Sequence, residues 1–466
     1  MAQAPAVVTA RSGAVPANRI TLPLLRIRER RLLLAAVDGA LAGGVLLLSY
    51  QVWKSAAHPP SNDMTSIPWA WVMAGTLSWL AISWLAGAYD LDVADRLVSA
   101  VKRCLTVTVF TTVEGLGAYS LFLKTYPRPA LAIALPAVPI AVLLWRAVYA
   151  SALHGPASAV RILVLGDSQV AASLGLVASA SQYYRVVGSI SSEEDSIVDL
   201  PGEVERLGAH RIVVAPRVRL TNAMVAGLTA AVERGTEVLD FNSAYEEMAG
   251  KVAVDHAGDH WLAALPTRVT TSAFEEMAMR GLDIAGGIVG GAISLLLLPP
   301  VAAAIALTSK GPVFYHQQRL GRGGRPFTIY KLRTMRRDAE DDGVKWAGVG
   351  DTRVTPIGRF LRRTHLDEVP QFWNILRGEM SLVGPRPERI EFTDELSRQI
   401  PFYRLRLSVR PGLTGQKQIK VGYAATKDEH LEVLRHDLYY IKHRSLALNL
   451  AIIARTLGSV VGQDGR

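Results

Sequence analysis

The stretch "GLDIAGGIVGGAISLLLLPPVAAAIALTSKGP", residues 281 to 312, decides how the chain is arranged around a membrane. It exceeds the roughly 20 apolar residues that cross a bilayer, yet Pro299 and Pro300 fall at its middle. Two consecutive prolines remove two consecutive N–H donors, which suits a sharp break near the headgroups and a return to the starting face. A straight crossing would put everything after Lys310 on the other side. The charges favour the return. Arg319, Arg322, Arg325, Lys331, Arg333, Arg336 and Arg337 follow, a density of cations that the positive-inside rule places in the cytoplasm.

Composition agrees with a membrane-embedded chain. Half of the 466 residues are hydrophobic and a fifth are charged, and the mean hydropathy is +0.21, values that a soluble basic protein seldom shows. The formal net charge of +10 comes without an RNP, zinc-finger or basic-zipper pattern, so no nucleic acid is expected. Anionic lipid headgroups or a phosphorylated substrate are the better partners for it. Cys104 is the single cysteine, which excludes an intramolecular disulfide and a cysteine metal cluster.

Upstream, apolar stretches at roughly 32–53, 67–89, 104–123 and 130–150 predict four transmembrane helices. "RIRERR" (26–31), Arg96, Lys102 and Arg103 assign the intervening ends to the cytoplasm. Residues 1–31, rich in Ala, Pro and Val but without a continuous apolar core, read as a disordered tail. Asp38 and Glu114 lie within the spans and are read first as polar contacts between helices. From Ser158 to about 260 the pattern alternates: "VRILVLGDS", "YRVVGSI", "HRIVVAP" and "TEVLDF" predict four strands of a small parallel, Rossmann-like α/β domain. "GDSQVAAS" lacks the second and third glycines of a dinucleotide fingerprint, so a structural or regulatory role is the expectation there.

The last third carries the chemistry: "YKLRTM" (330–335), "IGRFLRRTHLDEVPQFWNIL" (357–376), "MSLVGPRPE" (380–388) and "RPGLTGQKQI" (410–419). Asp367 and Glu368 have a plain reading as an N-cap and first-turn acid ahead of Pro370, with Thr364 and Asp367 at capping-box spacing. The neighbouring Arg359, Arg362 and Arg363 suggest instead a pair of carboxylates working against phosphate. An ionised Asp is a competent nucleophile toward phosphorus, and a second carboxylate can bind the Mg²⁺ that neutralises a diphosphate. Lys331 and Arg333 alternate in an apparent strand and so share a face, while the two prolines flanking Arg386 fix its direction. His365 has no second His at ligand spacing and no Ser or Cys motif beside it, so it is not taken as a general base.

These motifs, in this order and together with "DLYYIKHRSLALNLAIIARTL" (437–457), closely resemble the bacterial sugar transferases that act as polyprenyl-phosphate hexose-1-phosphate transferases. The likeness covers 275–466, and the preceding spans and α/β domain look like the long form of that family. The resemblance implies a fold of N-terminal α-helical bundle (32–150), Rossmann-like domain (158–260) and small α+β catalytic domain (275–466) with a re-entrant membrane helix (281–309). It implies that Asp367 attacks a UDP-hexose, most often UDP-glucose with UDP-galactose as the alternative. Glu368 would hold Mg²⁺, and Lys331, Arg333, Arg362 and Arg386 would bind phosphate or organise the acids. Pro299 and Pro300 would mark the re-entrant break. The implied partners are the UDP-hexose, undecaprenyl phosphate and membrane lipid at the bacterial inner membrane, with the catalytic domain on the cytoplasmic face and a homodimer as a possible assembly. The product would be the first lipid-linked sugar of an exopolysaccharide repeat. In many members an aromatic and a small residue follow "RPGLTG", whereas Gln416 and Lys417 stand here. The rival reading is a membrane-anchored nucleotide sensor or assembly scaffold built on 158–260, against which the missing glycines argue.

Overall fold

The computed structural model describes residues 27–57, 69–94, 97–121, 128–153, 159–181, 183–191, 199–254, 272–337, 339, 351–416 and 426–461. Most of the tail expected at 1–31, and Lys417 beyond the "RPGLTG" turn, lie outside them.

Four long helices occupy the expected N-terminal spans: α1 (Ile27–Ala57), α2 (Trp69–Leu85), α4 (Leu97–Leu121) and α5 (Arg128–Leu153), with a one-turn α3 (Leu91–Ala94) between the second and third. Side-chain packing of Ala42, Trp79, Cys104, Val107, Val138 and Val142 joins them into a bundle. Asp38 on α1 meets Arg146 on α5 at 2.7 Å, both almost fully buried. The intramembrane acid is therefore spent on a helix-to-helix ion pair, since an unpaired charge there would carry the full cost of desolvation. Ser78 Oγ likewise donates to Glu114, joining α2 to α4. Among the described residues, three helices are long and apolar enough to cross a membrane: Glu29–Ala56, Arg128–Ala150 and Ala273–Thr308. This is a multi-pass membrane protein. Two of the four expected spans meet that standard, while α2, at 17 residues, is apolar but shorter.

A four-stranded parallel sheet follows, β1 (Val160–Leu165), β2 (Tyr184–Ile190), β3 (Arg211–Val214) and β4 (Glu237–Asp240), in the spatial order β2-β1-β3-β4. Helices α6 (Ser168–Ser179), α7 (Leu200–Leu207), α8 (Asn222–Glu233) and α9 (Phe241–Ala249) cover it. β1 and most of β3 are buried, as strands covered on both faces must be. This domain is fastened on both sides. Leu34 and Tyr149 of the bundle share its core with Ile162, Tyr183 and Phe241, and Glu246 of α9 accepts from Lys442 at 2.9 Å and pairs with His443 at 3.0 Å.

The 36-residue α10 (Ala273–Thr308) starts at the cap Ser272, and its helical run passes through Pro299 and Pro300. After it come the hairpin β5 (Phe314–Leu320) and β6 (Pro326–Leu332), α11 (Pro356–Thr364), a 3-10 turn (Leu366–Gln371) and α12 (Phe372–Arg377). The short parallel pair β7 (Ser381–Val383) and β8 (Gly412–Thr414) brackets α13 (Ile390–Gln399), and α14 (Lys427–His443) and α15 (Leu446–Val461) close the chain. One side of α10 lies along this last part. Asp283 Oδ1 accepts from Ser381 Oγ and Leu382 N, both at 2.8 Å, and Ile305 packs with Leu332 and Leu361.

Candidate active site

The acids do not cap a helix. α11 ends at Thr364, whose hydroxyl turns back to Phe360 O, and His365 takes a left-handed conformation, φ 56°. Asp367 and Glu368 then sit inside the 3-10 turn, without the capping hydrogen bond that the local sequence allows. The sharp reversal at His365 and the fixed φ of Pro370 hold this turn against β6. Both carboxylates end up buried, 8% and 9% exposed. Two buried acids side by side are stable only where cations answer them.

The answering cations come from two other elements. Lys331, next to the end of β6, places its ammonium 2.7 Å from Glu368 Oε1. Arg386, from the "GPRP" turn after β7, donates to the same oxygen and reaches Oε2 at 3.5 Å. Burial alone would push the Glu368 carboxyl up, but Arg386 and Lys331 outweigh it and hold the group well below the usual carboxylate range. Asp367 differs. Burial raises its pKa above the ordinary Asp value, Lys331, Arg386 and Arg362 pull it back, and the charge on Glu368 adds to the rise. Among the described residues no side-chain hydrogen bond to Asp367 is formed, so its oxygens are unengaged. Burial lowers the Lys331 pKa against the pull of Glu368.

The structure thus brings Lys331, Arg386, Asp367 and Glu368 together, and leaves Arg362 within the field of Asp367 while its Nε donates to Thr334 Oγ1 at 2.9 Å. Arg333 lies apart from them. Its guanidinium donates to Lys310 O at 2.9 Å and to Ser309 O and Oγ at 2.8 Å, which ties the end of α10 to the strand. Alternation puts Lys331 and Arg333 on one face, and Arg333 N still donates to Val313 O at 2.9 Å, but the Arg333 side chain meets the end of α10 where that of Lys331 meets Glu368. Pro299 and Pro300 lie inside α10, both exposed.

Several supporting residues carry no local signal. Arg406, 3% exposed, donates to Asp437 Oδ2 at 2.8 Å, to Tyr403 Oη at 2.6 Å and to the backbone carbonyl of Arg386 at 3.1 Å. Glu388, half-buried beside Arg406, Arg319 and Arg386, is held below its usual pKa by those three against its desolvation. Gly412 N donates to Pro385 O and Gly384 N to Thr414 O, both at 2.9 Å, so the "RPGLTG" segment grips the turn that aims Arg386. In the sequence these look like scattered surface charges and turn glycines; only their burial distinguishes them.

A magnesium ion, expected on Glu368, has a thin protein donor set. No group of three or more His, Cys, Asp or Glu able to hold a metal occurs among the described residues. Two adjacent carboxylates nevertheless fit Mg²⁺, which commonly takes one or two carboxylates and completes its shell with water and substrate phosphates. The second oxygen of Glu368, met only at 3.5 Å, and the free oxygens of Asp367 are the available donors.

The model of the family described as "Bacterial sugar transferase" matches residues 274–463. A UDP-N-acetylgalactosamine-undecaprenyl-phosphate N-acetylgalactosaminephosphotransferase of Aeromonas hydrophila is 40% identical over 46% of this chain and 50% of its own length. A UDP-glucose:undecaprenyl-phosphate glucose-1-phosphate transferase of Caulobacter vibrioides is 42% identical over 41% of this chain and 72% of its own. The Escherichia coli protein of the latter name is 40% identical over 38% of this chain and 40% of its own length. The matched segment therefore spans about half or less of two of these relatives, but nearly the whole acid-bearing part of this chain. On the shared motifs and the extent of the Caulobacter match, this chain belongs to the bacterial sugar transferase family.

Proposed function

We propose that this protein transfers hexose-1-phosphate from a UDP-hexose to undecaprenyl phosphate, giving undecaprenyl-diphospho-hexose and UMP. The observation that carries the reading is the unequal treatment of two adjacent buried acids. Glu368 is locked by Lys331 and Arg386, whereas Asp367 lies beside the same cations without a side-chain hydrogen bond among the described residues. In the first step an Asp367 oxygen attacks the β-phosphorus, the bond from that phosphorus to the bridging oxygen breaks, and UMP leaves with the electron pair. A phosphate oxygen of undecaprenyl phosphate then attacks the aspartyl phosphorus, and the Asp367 carboxylate departs. Lys331, Arg386 and Arg362 offset the charge of the diphosphate while burial excludes water. A Mg²⁺ held by Glu368 and Asp367 would neutralise phosphate charge further.

Relatives named for UDP-glucose favour glucose as the donor, and the Aeromonas name makes UDP-N-acetylgalactosamine the second candidate. Contacts of α10 support the proposed topology. At about 1.5 Å per residue its 36 residues run to roughly 54 Å, yet polar contacts hold both ends to the same part of the chain. Glu276, near the start, pairs with Arg322 and Arg444, and Arg333 clamps Ser309 and Lys310 at the finish. A bend at Pro299-Pro300 that returns α10 to the cytoplasmic face accommodates both contacts, with the catalytic part on that face of the inner membrane.

Membranes carrying the protein or its Asp367→Asn form, supplied with Mg²⁺ and labelled UDP-glucose, UDP-galactose or UDP-N-acetylgalactosamine, test the reading. Label should enter organic-extractable lipid from one donor and vanish with the substitution. Exchange of labelled UMP into the UDP-sugar without lipid should accompany it, because only a covalent intermediate permits that exchange. Near-normal turnover by Asp367→Asn would sink the mechanism.

A further inference from the structure

The position of Lys331 raises a structural question. It lies near the end of a two-stranded hairpin, and among the described residues β6 has a hydrogen-bonded neighbouring strand only on its β5 side. The other edge of such a strand presents the N–H and C=O groups of alternate residues, here Thr328 and Tyr330, without a strand to receive them. Asn374 receives them instead. Its Oδ1 accepts from Tyr330 N at 3.3 Å and its Nδ2 donates to Thr328 O at 2.7 Å, so one side-chain amide takes the place of a peptide in a neighbouring strand. The same Nδ2 donates to Glu379 Oε2 at 2.7 Å, and the Asn374 carbonyl accepts from Glu379 N at 3.0 Å. Asn374 is completely buried.

The bonded residues stand next to the site. Tyr330 directly precedes Lys331, and Asn374 follows Glu368 by six residues through the 3-10 turn and into α12. A closed circuit results, in which Asn374 holds the strand at Tyr330, the next residue sends its ammonium to Glu368, and Glu368 leads along the chain back to Asn374. We propose that Asn374 is a positioning residue, whose side-chain amide fixes the register of β6 so that the Lys331 ammonium rests on Glu368 and the adjacent Asp367 is left free. This rests on the reading of Asp367 as the nucleophile.

An apolar or smaller residue at 374 would leave the Tyr330 N–H and Thr328 C=O without their partners and let the strand edge shift. Displacements of about 1 Å at a reacting centre cost on the order of 10²-fold in rate. The test uses the full-length protein in membranes, with UDP-glucose or whichever donor it accepts and undecaprenyl phosphate, reading kcat and KM for UMP release. Asn374→Ala should lower kcat by about 10²-fold with the donor KM changed by only a few fold. Asn374→Asp, of the same shape but without the Nδ2 donor, should do likewise, and covers failure of the alanine form to fold. Each is then combined with Lys331→Arg, a cation whose head differs in shape and reach. If residue 374 acts through Lys331, the substitution should cost far less in the arginine background than in the native one, with a coupling of about tenfold or more. Equal factors in both backgrounds, or Lys331→Arg turning over as fast as the native protein, would overturn the proposal. Turnover by Asp367→Asn would instead remove the reading beneath it, so the two failures are distinguishable.

Discussion

Replacing Lys331 with Met should move the acid limb of activity and not merely lower the rate. The ammonium lies 2.7 Å from Glu368 and is the largest influence lowering the Asp367 pKa. At that separation and an effective dielectric of about 20, the attraction to Glu368 is about 6 kcal/mol, before desolvation of both groups is subtracted. Arg386 remains on Glu368, so that carboxylate stays ionised in the variant. Asp367 loses more. Removing this cation should therefore raise the Asp367 pKa further above its ordinary value. On the proposed mechanism the nucleophile is the ionised Asp367, present above the folded pKa and lost below it. Native activity should therefore fall off at a pH above the ordinary Asp value of 3.8, and the Lys331→Met profile at a higher pH still. Each unit of displacement is tenfold in rate at pH values below both limbs. The assay is kcat/KM for UMP release across pH with enzyme concentration held constant. An acid limb unmoved by the substitution would refute the electrostatic argument, whatever happened to the rate at neutral pH.

Other expectations follow from the same geometry. Arg406→Ala leaves Asp437 buried with its principal partner gone, a change that typically costs about 3–5 kcal/mol, and should lower the temperature of half-inactivation; Arg406→Met with Asp437→Leu should recover much of that stability. Gly412→Ala would bring a Cβ within 2.0 Å of Gly384 N, so overpacking of about 1–3 kcal/mol should appear in thermal unfolding, accompanied by lower kcat as the Arg386 turn shifts. Acid should weaken the fold through Glu368. Its folded pKa lies below the model-peptide value of 4.5, so its contribution is present above that pH and lost as pH falls through the folded value, which a Glu368→Gln form should not show. Chelation of divalent ions should abolish UMP release and Mg²⁺ should restore it; full activity after chelation would remove the metal from the scheme.

Much of this protein was legible from residue order alone, because the relevant forces act locally or through periodicity. Apolar runs of bilayer length gave the four N-terminal helices and α10, and short β-branched runs bounded by turn residues gave all four strands of the parallel sheet. The acid pair, Lys331 and Arg386 were readable as a charge constellation within ordered motifs. Tertiary structure decided what each charge does. Asp367 and Glu368 are neighbours with the same functional group, and only the approach of β6 and the "GPRP" turn to one of them pairs the second with Lys331 and Arg386 and leaves the first without such a bond. Arg333 shares the pattern of Lys331 yet ties down a helix end, since its neighbours in space are Ser309 and Lys310 and not Glu368. Asn374 and Arg406 look like ordinary polar residues in the sequence. Their weight comes from burial, which makes every unmet hydrogen bond costly and which is a property of chain segments distant in sequence coming together.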